Sequence, residues 1–509
     1  IFLVKVFQRL VHRWRRTHPG EVPRAVLLKQ LLTRNIFGVD IDEHAVRVAS
    51  FSLYLAMCDE IDPRHYWNRM RFPPLRGRRL ISADFFDEKA GFRTAGEVGR
   101  YDLVIGNAPW GQASATDLAV HWAATHRWPI ANQGIGTLFL AKAAALARPS
   151  GRVAMVTSAS TLLFNRNKTA EAFRRALFTF YSFEEVINLS AVRFGVFPNA
   201  KSAACIVVFQ PVPPTSDRFS YICPKPLASG AGGDWIVVEP GDVQTVYSEE
   251  AASDPWVWTA LLWGGRRDLE LVRRLSRGPR LDAHVLHKRK GIVRGDRQKP
   301  EPDIVGRHIL EVPEFPANTF LRLRARDLPI NRDAGTDEAD STTMVPFQLP
   351  QLIIKKAWSA ESRRFRAVLV DGDRTTKGVI CTQAYVSVHV PDRSLAVLEA
   401  ACLTMNSAVA VYFLFLTSGQ SASFIPSALV EELLSVPLPA SGGHLGGLST
   451  FADVDVRARE AFGFKAAEWI LIEDFARYTI PQIQDSGSAG WRTSGGRDGD
   501  CNDEDLLAY

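Results

Sequence analysis

No two of the six cysteines (Cys58, Cys205, Cys223, Cys381, Cys402, Cys501) stand in a Cys-x-x-Cys pair. That scatter offers neither a zinc site nor a disulfide framework, so no metal is expected and the chain reads as one kept in a reducing cytoplasm. Long hydrophobic runs are also missing. The longest, Ala408 to Leu416, falls well short of the roughly 18 residues of a membrane span, and no membrane partner is expected. No signal peptide, internal repeat or Pro-Asp…Glu-x-Lys nuclease core is visible. Charge of one sign is scarce: the net is +6 and the pI about 9.0, a mild preference for a polyanionic partner. The rest of the composition is ordinary for a soluble globular protein, with 46% hydrophobic and 23% charged residues. At about 150 residues per domain, the 509 residues allow about three domains.

Residues 1–210 alternate strand-like and helix-like segments, the rhythm of a parallel α/β sheet. Leu3, Phe7, Leu10, Val11 and Trp14 recur at helical spacing and predict a helix from Ile1 to Trp14. Strands are expected at 35–39, 79–82, 101–105, 152–157, 184–189 and 203–209, and helices at 43–57, 137–147 and 169–177. Pro211 to Asp217 is a linker by composition. Beyond it, residues 218–440 show short strand-like runs, basic clusters and loops. Leu395 to Leu416 reads as one long helix or a helix pair, 441–485 as a closing helical segment, and 486–509 as a disordered tail rich in Ser, Gly and Asp.

The densest chemical information lies in Tyr101-Asp-Leu-Val-Ile-Gly-Asn-Ala-Pro-Trp110. The apolar run Leu103-Val104-Ile105 reads as a buried strand that delivers Asn107, Ala108, Pro109 and Trp110 at its carboxyl end. In open α/β sheets that end is where ligands sit. An amide, a carbonyl fixed by a following proline and an indole form a device for holding a flat, amine-bearing ring. Two acidic positions precede it. Phe37 to Asp42 ends an earlier strand in a carboxylate, which in nucleotide-type folds accepts both ribose hydroxyls. Capping the helix that starts near Glu43 is the other use of such a carboxylate, and it fits Asp42 better. Asp40, with Ile41 beside it, is therefore assigned to ribose and Asp42 to the cap. Asp84-Phe85-Phe86 comes after the next strand, with a carboxylate for an exocyclic amine and a phenyl for stacking; the plainer use is a turn with core aromatics.

Asn107-Ala108-Pro109-Trp110 resembles the (Asn/Asp/Ser)-Pro-Pro-(Tyr/Phe/Trp) signature of S-adenosylmethionine-dependent amino-methyltransferases, with Ala108 where the first proline usually stands. Arg193-Phe194-Gly195-Val196-Phe197-Pro198-Asn199-Ala200-Lys201 resembles the Phe-Pro segment of N6-adenine DNA methyltransferases, whose phenylalanine packs against the extruded base. In this order the elements resemble the N6-adenine DNA methyltransferases of restriction–modification and phage-defence systems, in the type IIG arrangement. The resemblance implies an α/β fold: a Rossmann-like S-adenosylmethionine-dependent methyltransferase domain over 1–210, a linker at 211–217, and a C-terminal α+β target-recognition domain over 218–440. Such proteins also carry a strand ending in Asp-Pro-Ala-Cys-Gly-Ser-Gly. Ile1-Phe2-Leu3-Val4 resembles the residues immediately after that glycine loop, so the loop and first strand are expected upstream of residue 1.

The same resemblance implies transfer of a methyl group from S-adenosylmethionine to N6 of an adenine flipped out of a specific DNA sequence. Asn107, Ala108, Pro109 and Trp110 would be catalytic, with the Asn107 oxygen and the Ala108 carbonyl accepting from the amine. Asp40, Ile41, Asp84, Phe85 and Asn107 would hold the cofactor, and Trp110 and Phe197 would stack on the base, with Phe194 competing for the second place. Lys288, Arg289, Lys290, Arg294 and Arg297 form the densest basic cluster and the candidate DNA contact. Arg322, Arg324 and Arg326, Lys355-Lys356-Ala357-Trp358 and Arg363 to Arg366 are further basic clusters. Each alone is more often a solvated surface. Expected partners are double-stranded DNA and a restriction or defence-system subunit. Two other readings stand beside this one. The first is a methyltransferase acting on RNA adenine or protein glutamine, against which the long basic segment after Phe209 speaks. The second is a non-catalytic DNA-binding remnant, for which Ala108 and the absent glycine loop speak.

Overall fold

The computed structural model describes residues 1–65, 71–88, 99–110, 114–131, 134–197, 202–226, 236–285, 287–293, 299–300, 302–311, 314–336, 344–359, 362–371, 377–390, 395–425 and 427–486. The expected tail, from 487 on, lies outside them.

Two short strands, Gly38–Asp40 (β1) and Leu80–Ser82 (β2), pair in parallel with Val39 opposite Ile81. Parallel neighbours need a crossover connection, and helix Glu43–Cys58 (α2) lies within it. Its first turn is closed by the Asp42 carboxylate, which accepts from the His44 N–H at 2.8 Å, so Asp42 is the cap. Helix Phe2–Thr17 (α1) lays Phe7 and Val11 into a small core with Leu28, Leu32, Val46, Leu53 and Met57.

Six strands form the main sheet: Tyr101–Asn107 (β3), Ala147–Ser158 (β4), Ser182–Asn188 (β5), Ala204–Gln210 (β6), Arg218–Ile222 (β7) and Val243–Tyr247 (β8), in the order β8-β7-β5-β6-β4-β3. β3 and β4 run parallel, β6 is antiparallel between β4 and β5, and β7 is parallel to β5 and antiparallel to β8. Helices Asp117–His126 (α3), Leu138–Leu146 (α4) and Lys168–Phe180 (α5) contribute to the same core as the sheet. Every strand expected before residue 211 is found; β3 runs two residues further than Ile105, to Asn107, and it is not the buried strand expected, since it ends the sheet's strand order and Leu103 is exposed.

The sheet does not stop at the Pro-rich 211–217 segment. β7 and β8 belong to the first sheet rather than to a domain starting at 218. Phe219 and Tyr221 supply the reason: both are buried, against Phe178, Phe183 and Trp258, and the Tyr221 hydroxyl donates to the Trp258 carbonyl at 2.8 Å.

A second, mixed sheet comes next: His287–Lys290 (β9), Arg322–Arg324 (β10), Gln351–Lys355 (β11), Ala367–Asp371 (β12) and Tyr385–His389 (β13), ordered β9-β13-β11-β12-β10. Leu395–Asn406 (α7) and Ala408–Thr417 (α8) are two helices meeting at 76°, with Ser407 capping the second by accepting from the Val409 N–H at 3.2 Å. Val257–Trp263 (α6) and α8 are buried along their length in one continuous core that reaches from Phe86 to Ile483. Helices Phe451–Phe462 (α9), Ala466–Asp474 (α10) and Ile480–Ser486 (α11) close the described chain. Among the described residues no single helix is long and apolar enough to cross a membrane.

Candidate functional site

Asp40 ends β1, and Asp84 stands two residues after β2. The register of the two strands sets Asp40 opposite Ser82, and the Ala83 N–H donates to the Asp40 carbonyl at 3.0 Å. Asp40 is exposed, its Oδ1 accepting, among the described residues, only the nearby Asp42 N–H at 2.9 Å, and Ile41 beside it is 70% exposed. Asp84 is held more firmly. Its Oδ1 accepts from the Phe86 N–H and its Oδ2 from the Thr116 hydroxyl, both at 2.8 Å. The Thr116 hydroxyl also accepts from the Ala119 N–H at 3.2 Å, so one side chain caps α3 and fixes Asp84. Phe85 stacks on Phe139 at 4.8 Å and 11°, which occupies one face of the ring. Phe86 is buried beside Trp122 and Lys142, as a core aromatic. Lys142, 1% exposed, donates to Glu88 at 2.9 Å; burial pushes its pKa below the usual lysine value, and Glu88 and Asp84 draw it back up.

The catalytic candidates stand at the end of β3. The Ala108 N–H donates to the Val156 carbonyl at 2.9 Å and its methyl is buried in the core, so the peptide is tied to β4. Asn107 and Pro109 are exposed. The Pro109 carbonyl presses on Gly136, where a Cβ would stand 2.5 Å from its oxygen. The Trp110 Nε1–H donates to Asn107 Oδ1 at 2.7 Å. Trp110 meets Phe197 edge to face, with ring centroids 4.8 Å apart and planes at 79°. Phe197, ninety residues after Asn107 in sequence, is thus brought onto the motif. Phe194 is not: it packs on Phe424, under the Arg193 guanidinium at 4.3 Å. Arg193 is buried, its pKa pushed down to about 10, and it donates to the Ser423 carbonyl at 3.1 Å.

The expected DNA contacts fare differently. Arg294 and Arg297 lie outside the described residues, as does the side chain of Arg289. Lys288 is exposed on the edge strand β9, 3.7 Å from Glu431. Of the other basic clusters, Lys355, Arg364 and Arg366 turn inward, while Arg322, Arg324, Arg326 and Arg363 are exposed. Lys355 is buried and paired with Glu314, and Trp358 and Phe365 are core residues. Arg364 pairs with Asp455, Arg366 donates to the Thr319 and Phe320 carbonyls, and Arg322 pairs with Asp371 and Glu399. β10 ends at Arg324, so Arg326 does not share a strand face with the other two arginines. Thr116, Gly136 and Lys142 were not singled out by sequence. Thr116-Asp117 before an apolar run is a helix-start signal that marks the cap, but nothing local joins it to Asp84.

Residues 34–197 match the Eco57I restriction-modification methylase family. The matched span opens just before β1, contains Asp40, Asp84 and Asn107 to Trp110, and ends on Phe197. No curated protein matches the chain. Solved structures similar to it include the type IIL restriction-modification enzyme MmeI in complex with DNA, at 13% identity and a TM-score of 0.48 over 95% of this chain and 72% of that one. The type IIG restriction endonuclease BpuSI is similar at 12% identity and a TM-score of 0.34, over 96% and 68%. A chain of a type I restriction–modification system is similar at 17% identity and a TM-score of 0.31, over 54% of this chain and 45% of that chain's length.

Proposed function

We propose that this chain supplies the methyl-transfer function of a restriction–modification system, moving a methyl group from S-adenosylmethionine to N6 of a flipped adenine in double-stranded DNA. One observation carries the reading. Within a span matching a restriction-modification methylase family, Asn107-Ala108-Pro109-Trp110 ends a strand, and Phe197 lies against Trp110.

The residues fit the cofactor by the chemistry of their donors. Asp40 is an exposed carboxylate at the end of β1, suited to the two ribose hydroxyls, with the exposed Ile41 as an apolar neighbour. Asp84 comes after the adjacent parallel strand, and its oxygens keep lone pairs for an adenine amine, with the Phe85 ring next in sequence as the aromatic neighbour. When bound, S-adenosylmethionine would supply an electrophilic methyl group.

The exocyclic amine of adenine is a poor nucleophile because its lone pair is delocalised into the ring. Asn107 Oδ1 and the Ala108 carbonyl would accept its two N–H groups, favouring a pyramidal nitrogen with its lone pair directed at the methyl group. The second acceptor is main chain, so Ala108 can serve where a proline is usual; Pro109 still biases it to an extended conformation. Extruding the base costs a few kcal/mol, and stacking on Trp110 and Phe197 would return roughly 1–3 kcal/mol. A ring held between two others needs about 7 Å between them, twice the contact distance. Trp110 and Phe197 therefore have to part from their 4.8 Å contact as the base enters. A restriction subunit is the expected companion.

The test is Asn107→Ala in the full chain, with labelled S-adenosylmethionine and DNA. Turnover should fall by roughly 100-fold or more, the scale of one lost preorganised polar group, with DNA affinity little changed. Turnover within threefold of the unsubstituted chain, or label found on cytosine, would refute the assignment.

A further inference from the structure

The positive charge of this protein is concentrated at one end. The first 80 residues hold 15 Lys and Arg against 7 Asp and Glu, a net of +8 in a chain whose total is +6, so the remainder is slightly acidic. Helix α1 is the centre of that excess. It carries Lys5, Arg9, Arg13, Arg15 and Arg16 and no acidic residue. At about 100° per residue, Lys5, Arg9 and Arg16 fall in one line with His12, and Arg13 lies on its flank. That line is opposite Phe7 and Val11, the buried face, and Lys5, Arg9, His12, Arg13 and Arg16 are all exposed. Arg15, off the line, pairs with Glu60 at 2.7 Å. Among the described residues no carboxylate pairs with Lys5, Arg9, Arg13 or Arg16. The second half contrasts with this, since Arg322, Lys355 and Arg364 each have an acidic partner.

We propose that the outer face of α1, through Lys5, Arg9, Arg13 and Arg16, binds the phosphate backbone of duplex DNA outside the recognition sequence. The helix precedes the methylase-matched span, so nothing in that match assigns it a role. From Lys5 to Arg16 the stripe is about 16 Å long, so laid along the duplex axis it spans about five base pairs at about 3.4 Å each. A protein partner would call for an apolar centre among the charges. No large hydrophobic side chain of α1 is exposed, and the repeating single-sign charge fits a repeating polyanion. The proposal rests on the methylase reading only for the choice of DNA as that polyanion.

The experiment uses the full chain, without cofactor, and a fluorescent 30-base-pair duplex of arbitrary sequence. Binding is followed by anisotropy across a salt series. Replacing Lys5, Arg9, Arg13 and Arg16 together by Gln should lower the log–log salt slope by about three to four and weaken binding at least tenfold at low salt. A second variant, Arg9→Lys, Arg13→Lys and Arg16→Lys, keeps the charge and should bind as the unsubstituted chain does. Thermal melts of both variants separate charge loss from unfolding. An unchanged slope in the Gln variant, or loss of binding in the Lys variant with its melt intact, overturns the proposal. So does competition by polyglutamate as effective as that by unlabelled duplex, which would point to an acidic protein instead. Because no methyl is transferred in this assay, failure of the Asn107 test leaves its outcome untouched.

Discussion

Asp40 and Asp42 stand two residues apart and carry different loads. Asp42 accepts from the His44 N–H at the start of α2, while Asp40 accepts from the Asp42 N–H and faces solvent. Asp42→Ala should therefore cost about 1 kcal/mol of stability, the usual value of a lost cap, and leave cofactor affinity nearly unchanged. Asp40→Ala should do the reverse, weakening S-adenosylmethionine by about 1.5–3 kcal/mol, the scale of a charge-assisted hydrogen bond. Calorimetric titration and thermal denaturation of the two variants give the comparison, and equal affinity in Asp40→Ala would remove it from the site. This division was legible because capping has a local signature. The partners of Asp84 and Asn107 were not. Thr116 reaches Asp84 from thirty-two positions away, and the Trp110 indole N–H turns back on Asn107 through a side-chain conformation that no spacing encodes.

At the scale of elements, strand β3 and the turn after it depend on a residue the motif does not contain. Gly136 backs the Pro109 carbonyl, and an added Cβ would stand 2.5 Å from its oxygen, against backbone that cannot rotate away. Gly136→Ala should cost about 1–3 kcal/mol as an overpacking substitution. Displacing the Pro109 peptide should lower methyl transfer well beyond what lost stability explains. Gly195→Ala is the control, since nothing lies within 4 Å of a Cβ there. Melting temperature and turnover measured on both variants decide it: activity in Gly136→Ala equal to that of the control would mean the turn absorbs the methyl group. Strands and helices of the first half were readable from apolar periodicity, because each packs one face on one core. In the second half, Lys355 and Arg364 were not readable for the complementary reason, while Lys288, Arg324, Arg326 and Arg363 are exposed. Whether Lys355 or Arg364 meets water or a carboxylate depends on Glu314 and Asp455, which only the tertiary fold brings near.

At the scale of the whole molecule, the sheet and the core run through the segment that composition marks as a linker. β7 hydrogen-bonds to β5, Phe219 packs on Phe178 and Phe183, and Trp258 packs on Phe178 and Tyr221. Further along, Arg166 donates to the Thr417 carbonyl and lies 4.1 Å over Trp256, and Arg193 donates to the Ser423 carbonyl. Burial pushes the pKa of both guanidinium groups down to about 10. Cutting the chain at residue 217 would expose Phe178, Phe183 and Val186 and leave one edge of β5 unpaired. At about 1.5–3 kcal/mol for each large apolar side chain returned to water, the loss rivals the about 5–15 kcal/mol that holds a typical domain together. A fragment of residues 1–217 should therefore show no cooperative melt and should bind the dye ANS, as loosely packed states do. The full chain should unfold with a single sharp transition through this core. A 1–217 fragment that melts cooperatively within a few degrees of the full chain would restore the linker as a domain boundary and make β7 and β8 an appended edge.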